Sequence, residues 1–502
     1  MSGGIENYRE LEQRFRRLNA LREAEGLLHW DGATLMPEGG AEARSEQLAA
    51  LGVLGHELLT HGRTGELLDA AEAELNGGDP WRAANLREMR REWRHATALD
   101  SAFVEALSKA CNRCEMIWRE ARPKSDFALV LPALREVLAL TREAAARKAE
   151  VFGCSPYDAL LDLYEPGLQA ARIDAVFAQV ESFLPGLLEE VLECQAAAPA
   201  ARMPEGPFPV ARQEALARQV MAQVGFDFRH GRLDTSLHPF CGGVPEDVRI
   251  TTRYDDADFL TSLSGVLHET GHALYERGLP ADWRLQPVGK ARGMMLHESQ
   301  SLLIEMQACR SPEFIGYLAP LARAAFEGEG AVWEAENLLR LVNRVRPDFI
   351  RVDADEVTYP AHVILRTRLE QALLSGDLDP AELPGAWNEA MQRLLGITPP
   401  DDRRGCLQDI HWYDGAFGYF PTYSLGAMTA AQLFAAARAA RPEIPAALAR
   451  GDFAPLLAWL REKVHGLGSS LSGEEIVAAA TGAPLDPRVF EAHLRRRYLG
   501  AA

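Results

Sequence analysis

Residues 268–272 read His-Glu-Thr-Gly-His, inside a run from Phe259 to Tyr275 that is apolar at helical spacing. On a helix, residues four apart share one face, so both imidazoles point the same way. Two neutral imidazoles at that spacing can hold one Zn2+, and the intervening Glu269 is placed to act on a water at the ion. The chemistry implied is metal-assisted hydrolysis, most often of a peptide bond. The bland alternative is a surface helix with two solvated histidines. Leu263, Val266, Leu267 and Leu274, with Thr270 among them, argue against it, because they make a stripe that buries the helix. Polar groups on a buried helix need partners, and a metal supplies them. Gly271 costs a helix interior about 1 kcal/mol relative to Ala. It is tolerated where another backbone or the metal site packs closely.

The rest of the chain reads as helical nearly throughout. Glu6 to Leu28 carries an apolar stripe at Leu11, Phe15, Leu18, Leu21 and Leu28. Trp81 to Glu120, Phe127 to Phe152, Ile173 to Ala197 and Ala211 to Val224 repeat the pattern. Breaks are predicted at Asn76 to Pro80, Gly153 to Pro156, and the Pro/Ala-rich Ala196 to Pro209, the best internal linker. Val248 to Tyr254 is β-branched and alternating, which predicts a strand just ahead of the histidine helix. As an edge strand it would let an extended peptide dock by backbone pairing; as a hairpin it would be structural.

Charge and cysteine content exclude several classes. The 502 residues carry a net charge of −19, which argues against nucleic acid or an anionic membrane as main partner. A basic pocket can persist on an acidic protein, so a peptide substrate is compatible. Seven cysteines without regular spacing do not form a disulfide framework, and Cys111 and Cys114 read as two thiols packed on one helix face. The N-terminus shows no basic-then-apolar signal pattern, and no charge-free apolar run is long enough to span a bilayer. The expected compartment is the cytoplasm.

Two histidines do not complete a catalytic zinc site, which needs a third protein ligand. Glu298, within Met294 to Ser301, is the best candidate, with His297 its adjacent rival. A carboxylate also offsets the charge of the ion better than a third neutral ligand.

Taken together, the motifs resemble the carboxypeptidase Taq family of metallocarboxypeptidases. The segments that carry the resemblance are His268 to His272, His297 to Gln300, Ile350 to Asp355 and Gly405 to Trp412. Asp247 to Thr251, His238-Pro-Phe240, Trp30-Asp31, Met36-Pro37, Tyr157 to Leu160 and Tyr164 to Gly167 fit as well. The match runs from about residue 8 to the C-terminus, in one order. It implies His268, His272 and Glu298 as metal ligands, Glu269 as catalytic base, Zn2+ or in some members Co2+, and a homodimer. It also implies a mainly α fold, a large helical body around a deep substrate groove. A small antiparallel β-sheet is expected near the metal helix. We expect a single peptidase unit over 1–502, with 1–209 covering the groove and 210–502 binding the metal. Related zinc peptidases place an Asp four residues after the third-ligand Glu. Leu302 stands there, which leaves Ser301, a backbone carbonyl, Asp353 or Asp355 to orient the ligand histidines.

A carboxypeptidase must also stabilise an oxyanion and hold a free carboxylate. His411 and then Tyr423 are the candidates for the first task. Arg351 is the candidate for the second, since a guanidinium binds a carboxylate bidentately. The competing role for Arg351 is an ion pair with Asp353, Asp355 or Glu356. Arg249, His238 and Tyr419 complete the expected substrate contacts, and Asp414 to Gly418 is a Gly-punctuated loop or turn. The expected activity is release of single C-terminal residues from peptides with a free C-terminus, with broad preference and Pro a poor leaving residue. A zinc oligopeptidase or dipeptidase on a similar fold is the nearest alternative. A non-catalytic scaffold with a structural zinc is remote, because structural sites fill all four positions with protein ligands.

Overall fold

The computed structural model describes residues 5–75 and 78–500. Among these, twenty α-helices, several short 3-10 helices, one π-helical turn and three short strands make up the regular structure. Met1 to Gly4 lie outside the described residues, as do Asn76 and Gly77 of the first predicted break.

Local signals set many of the helix ends. Asp126 caps the Phe127–Phe152 helix by accepting from the Leu129 N–H at 3.1 Å, and Gly153 ends it in the left-handed region at φ +69. The expected Trp81–Glu120 helix is two helices, Pro80–Thr97 and Ser101–Lys124. Asp100 makes the break: its carboxylate accepts from Phe103 N at 2.9 Å, which starts a new helix. The Glu6–Thr34, Ala170–Ala197 and Val210–Val224 helices cover the other predicted stretches.

The strands are β1 (Gly231–Thr235), β2 (Cys241–Val244) and β3 (Asp247–Thr252). Their order is β1-β3-β2, with β1 parallel to β3 (Leu233 opposite Ile250) and β2 antiparallel to it (Cys241 opposite Ile250). The sheet is therefore mixed, not antiparallel. The predicted strand is also its centre, not an edge. Both backbone sides of β3 are paired, so no peptide can add to it. Only β3 has alternating β-branched residues; β1 and β2 are short and rich in charge or Gly, and gave no strand signal.

Buried side chains form two clusters. A small one, from Tyr8, Phe15, Leu67, Met89 and their neighbours, belongs to the first helices. The large one runs from Ala110 to Leu494 and continues across the Ala196–Pro209 segment. The first helices are pinned onto the segment that follows the metal helix. Asn19 Nδ2 donates to the Leu285 carbonyl at 2.9 Å, Asn85 Nδ2 donates to Gln286 Oε1 at 3.1 Å, and Arg284 pairs with Glu23. No helix among the described residues is long and apolar enough to cross a membrane. All seven cysteines are free. Burial pushes the Cys114 thiol up to about 12 and the Cys111 thiol to about 11, so both stay protonated and packed.

Candidate metal centre and active site

The 268–272 segment lies on the Phe259–Arg277 helix, capped by Asp258 through Leu260 N at 2.9 Å and Thr261 N at 3.2 Å. Leu263, Val266, Leu267 and Leu274 are buried as their spacing requires, which excludes the solvated-helix alternative. Gly271 is where the next element docks. A Cβ there would stand 2.5 Å from the Gln300 carbonyl oxygen and 2.6 Å from Ser301 Cα, far inside van der Waals contact. The Gly293–Leu302 helix thus lies directly on the metal helix and presents Glu298 to the histidines. From the other side, Gly426 of the Pro421–Ala440 helix admits the Glu298 side chain. A Cβ at Gly426 would meet Glu298 Cβ and Cγ at 2.9 Å.

Glu298 Oε2 lies 3.6 Å from His268 Nε2 and 3.5 Å from His272 Nε2. One atom from each of the three residues lies within 4.8 Å of the others. Ligands about 2.1 Å from a tetrahedral ion are about 3.4 Å apart, so the donor set fits one divalent ion with only small adjustment.

Hydrogen bonds on the far side of each ring fix which nitrogen faces inward. His268 Nδ1 is 3.1 Å from Glu305 Oε2, an acceptor, so an Nδ1 proton is donated there and Nε2 is the nitrogen that faces Glu298. His272 Nδ1 is 2.7 Å from His297 Nδ1, and His297 Nε2 is 2.9 Å from Glu276 Oε1. His297 donates to Glu276, so its Nδ1 accepts from His272, and His272 Nε2 is free as well. The residue that rivalled Glu298 is thus a support for His272.

The support for His268 differs from each expectation. Leu302 is in the core, 3 % exposed, and the orienting carboxylate is Glu305, itself held by Arg310. Ser301 Oγ donates to Glu298, at 2.6 Å to its carbonyl and 3.3 Å to Oε2, and not to a histidine. Asp355 accepts from Arg346 N, Val357 N and Thr358 N, which stitches its own loop. Burial and Asp348 raise the carboxyl of Asp353, which has no hydrogen-bond link to His268 or His272. Glu305 lies on a π-helical turn, Leu303–Ala308, that continues the Glu298 helix.

The electrostatics favour a cation. Burial alone would lower the pKa of His268, but Glu298, Glu305 and Glu269 outweigh it and raise it to about 10. A field that favours a proton there favours any positive ion. Burial lowers His272 to about 4, so it is neutral. Burial, with Glu298 nearby, pushes Glu269 up to about 7 against the pull of His268. Burial, then the charge of Glu269, also raises the thiol of Cys241 on β2.

A second cluster adjoins the first. His411 Nε2 is 3.1 Å from Tyr423 Oη, and the Tyr419 ring is 5.1 Å from that of Tyr423 and 5.5 Å from that of His411. Arg351 is buried, with its guanidinium 4.5 Å from the Tyr423 ring centre. Its ion-pair partner is Asp409, at 3.1 Å from Nε and 2.8 Å from Nη2, and not Asp353, Asp355 or Glu356. Asp409 also takes Arg366 Nε at 2.7 Å. Glu356 is engaged elsewhere, by His493 and Arg497. Burial raises the hydroxyls of Tyr419 and Tyr423, the latter to about 12, and the Glu298 charge adds to both. Tyr423 precedes Gly426, the residue that admits the Glu298 side chain, by three positions on the Pro421–Ala440 helix, so it stands about one turn from the metal centre.

Arg249 and His238 lie away from this cluster in the sheet region. Arg249 pairs with Asp247 at 2.6 Å and covers the Trp30 ring at 4.6 Å. His238 is exposed on the β1–β2 connection, and its carbonyl accepts from Ser236 Oγ at 2.6 Å. Glu305, Glu276, Asp409 and Arg366 are the residues that reasoning from sequence missed. Glu305 had one signal: it follows Glu298 by seven, two helical turns on the same face. Asp409 lies inside the Gly405–Trp412 segment that was singled out, without a role.

Comparison with known proteins bears on this geometry. A profile of the carboxypeptidase Taq (M32) metallopeptidases matches residues 10–498. Thermostable carboxypeptidase 1 of Thermus thermophilus is 40% identical over 505 residues, covering 98% of each chain. Carboxypeptidase 1 of Bacillus subtilis is 35% identical over 488 residues, covering 96% of each. Among solved structures, Trypanosoma cruzi metallocarboxypeptidase 1 superposes with a TM-score of 0.96 at 44% identity, over 98% of this chain and 99% of that one. With a cation-seeking pair of histidines and a carboxylate at its centre, and with the whole length matched, the chain belongs to the carboxypeptidase Taq (M32) family of metallopeptidases.

Proposed function

We propose that this peptide hydrolase releases single C-terminal residues, of broad type, with Zn2+ (or Co2+) held by His268, His272 and Glu298 and with Glu269 as general base. The observation that carries this is the convergence of two inward-facing Nε2 atoms on Glu298 Oε2, at 3.6 and 3.5 Å. Zinc held there lowers the pKa of water towards about 7 and polarises a carbonyl. Glu269, poised near neutrality by burial, takes the proton of the attacking water and delivers it to the leaving amine. His411 is kept neutral, near 4, by burial, and shares its Nε2 with the Tyr423 hydroxyl. That pair has two protons and one mutual hydrogen bond, which leaves one proton to donate to a developing oxyanion. Arg351 binds the substrate carboxylate. Asp409 engages its Nε and Nη2, which fixes the guanidinium and leaves Nη1 outside the pair. Tyr419, Arg249 and His238 bind the remainder of the peptide. We read 1–209 as the cover of the substrate groove and 210–502 as the metal-binding part of one peptidase unit. The same reading makes the enzyme a homodimer of the cytoplasm, and its seven free cysteines accord with a reducing compartment.

The test is release of the C-terminal residue from a short peptide by metal-loaded protein, beside Glu269→Gln and beside a C-terminally amidated copy. Release that requires both Glu269 and the free carboxylate supports the reading. Equal cleavage of the amidated copy would make the enzyme an oligopeptidase, and absence of cleavage with metal bound would make the site structural.

A further inference from the structure

Behind the metal centre lies a cavity of about 1040 Å3 that contains none of the residues proposed to act on substrate. Its walls come from the Ala170–Ala197, Pro312–Ala325, Ala335–Val342, Pro421–Ala440 and Pro487–Leu499 helices and from the π-helical turn. Seven arginines line it and only two carboxylates, Glu313 and Asp486, in a protein of net charge −19. Those two pair with Arg438 and Arg488. Glu305, Glu336 and Glu356 pair with Arg310, Arg340 and Arg497. Arg344 and Arg496 have no acidic partner among the described residues, so the cavity keeps an excess of two guanidiniums at its mouth.

The inner wall also has unmet hydrogen-bonding capacity. Arg310 Nε and Arg340 Nε are buried donors without an acceptor, and Gln307 Oε1, Asn343 Oδ1 and Glu313 Oε2 are buried acceptors without a donor, so the wall has free groups of both kinds and suits an anion that also carries hydroxyls. Buried polar atoms are normally paired, and each unpaired one costs about 1–3 kcal/mol. Guanidiniums select carboxylate and phosphate groups. The volume lies at the upper end of small-molecule sites, about 300–1,000 Å3, and is far larger than one phosphate needs.

The cavity wall is shared with the metal centre. Arg310 lines the cavity and donates to Glu305, which orients His268. Arg497 donates to the carbonyls of Met306 at 2.6 Å and Gln307 at 3.2 Å, which ties the same π-helical turn to the opposite wall. An anion drawing on Arg310 or Arg497 competes directly with the groups that hold Glu305 in place.

We propose that this cavity binds a small polyanion, a molecule with two or more carboxylate or phosphate groups, and that its occupancy changes metal affinity through Arg310 and Glu305. The second part rests on His268 being a metal ligand; the first does not.

The experiment is calorimetric titration with fructose 1,6-bisphosphate and, separately, tricarballylate, on metal-loaded and on chelator-treated protein. Wild type is compared with Arg344→Ser/Arg496→Ser, two exposed positions whose loss leaves the core intact. One saturable site per chain in both metal states is expected, for at least one probe, weakened tenfold or more in the double variant. The probe that binds tells a phosphate site from a carboxylate site. Saturating it should shift metal affinity at least threefold in wild type and leave the double variant unmoved. No saturable binding, or equal binding by the double variant, would overturn the anion site. Binding without a change in metal affinity would overturn the coupling, and a change that persists in the double variant would reduce it to chelation in solution.

Discussion

The Gln300 carbonyl oxygen lies 2.5 Å from the point where a Cβ would stand on Gly271, so backbone meets backbone where the two metal-site helices cross. This contact sets how near Glu298 comes to His268 and His272. It also explains why a helix that must stay rigid tolerates a residue of poor helix propensity.

Gly271→Ala should therefore separate the helices and impair the metal centre more than the fold. A helix propensity gain of about 1 kcal/mol opposes an overpacking cost of about 1–3 kcal/mol. The net change in urea stability should be small or unfavourable, while zinc affinity falls at least tenfold by competition with a chromophoric chelator. Unchanged affinity would show that the crossing can relax without moving Glu298.

Glu305→Gln keeps a side chain of the same shape beside His268 Nδ1 but removes the charge. Loss of an orienting partner of this kind typically costs 10–100-fold in metal affinity. The same drop is expected here, with little change in far-UV circular dichroism. Full metal affinity in the variant would assign the orientation of His268 to packing alone.

Arg351→Ala should raise KM for peptides with a free C-terminus. A charge-assisted hydrogen bond contributes about 1.5–3 kcal/mol, which is roughly 10–100-fold in KM. Amidated peptides, which lack the carboxylate, should show no comparable difference between wild type and variant. Because the variant strands Asp409 with Arg366 alone, Arg351→Lys serves as a control that retains a charge. An unchanged KM in both variants would place carboxylate recognition elsewhere.

Glu356 governs stability in acid. Burial alone would raise its pKa, but Arg497 and His493 outweigh burial and hold it well below the usual carboxylate range. A depressed carboxylate stabilises the fold fully above its unfolded pKa of about 4.3, and the contribution fades as pH falls towards the folded pKa. Glu356→Gln should then cost about 3–5 kcal/mol at pH 7, since it strands Arg497 and His493. The gap to wild type should narrow when unfolding is repeated near pH 3. A gap independent of pH would mean that Glu356 acts by shape and not by charge.

Much of this was legible because it is local. The four-residue spacing of His268 and His272 puts both rings on one helix face, and the apolar stripe of Leu263, Val266, Leu267 and Leu274 fixes which face is inside. Asp126 and Gly153 bound the Phe127–Phe152 helix by backbone chemistry within one turn. The need for a third ligand pointed to Glu298, a family segment to Arg351, and the need for an oxyanion donor to His411 and Tyr423, but as separate points on the chain.

Their relations come from tertiary structure. His297 stands next to Glu298, yet it supports His272, because the helix crossing at Gly271 gives adjacent residues different neighbours. Glu305 replaces every expected partner of His268, since a π-helical turn decides where a side chain two turns on will point. The partner of Arg351 lies 58 residues away, beyond two helices, where no local pattern could indicate it. The Val248–Tyr254 strand was visible by its alternation, but its central place was not, since pairing on both sides came from segments without strand character. Sequence by itself determined the helices, their buried faces and the paired-histidine motif, because each depends on residues within a few turns. The tertiary structure alone decided partners, hydrogen-bond direction and charge balance, because these depend on where distant backbones are able to touch.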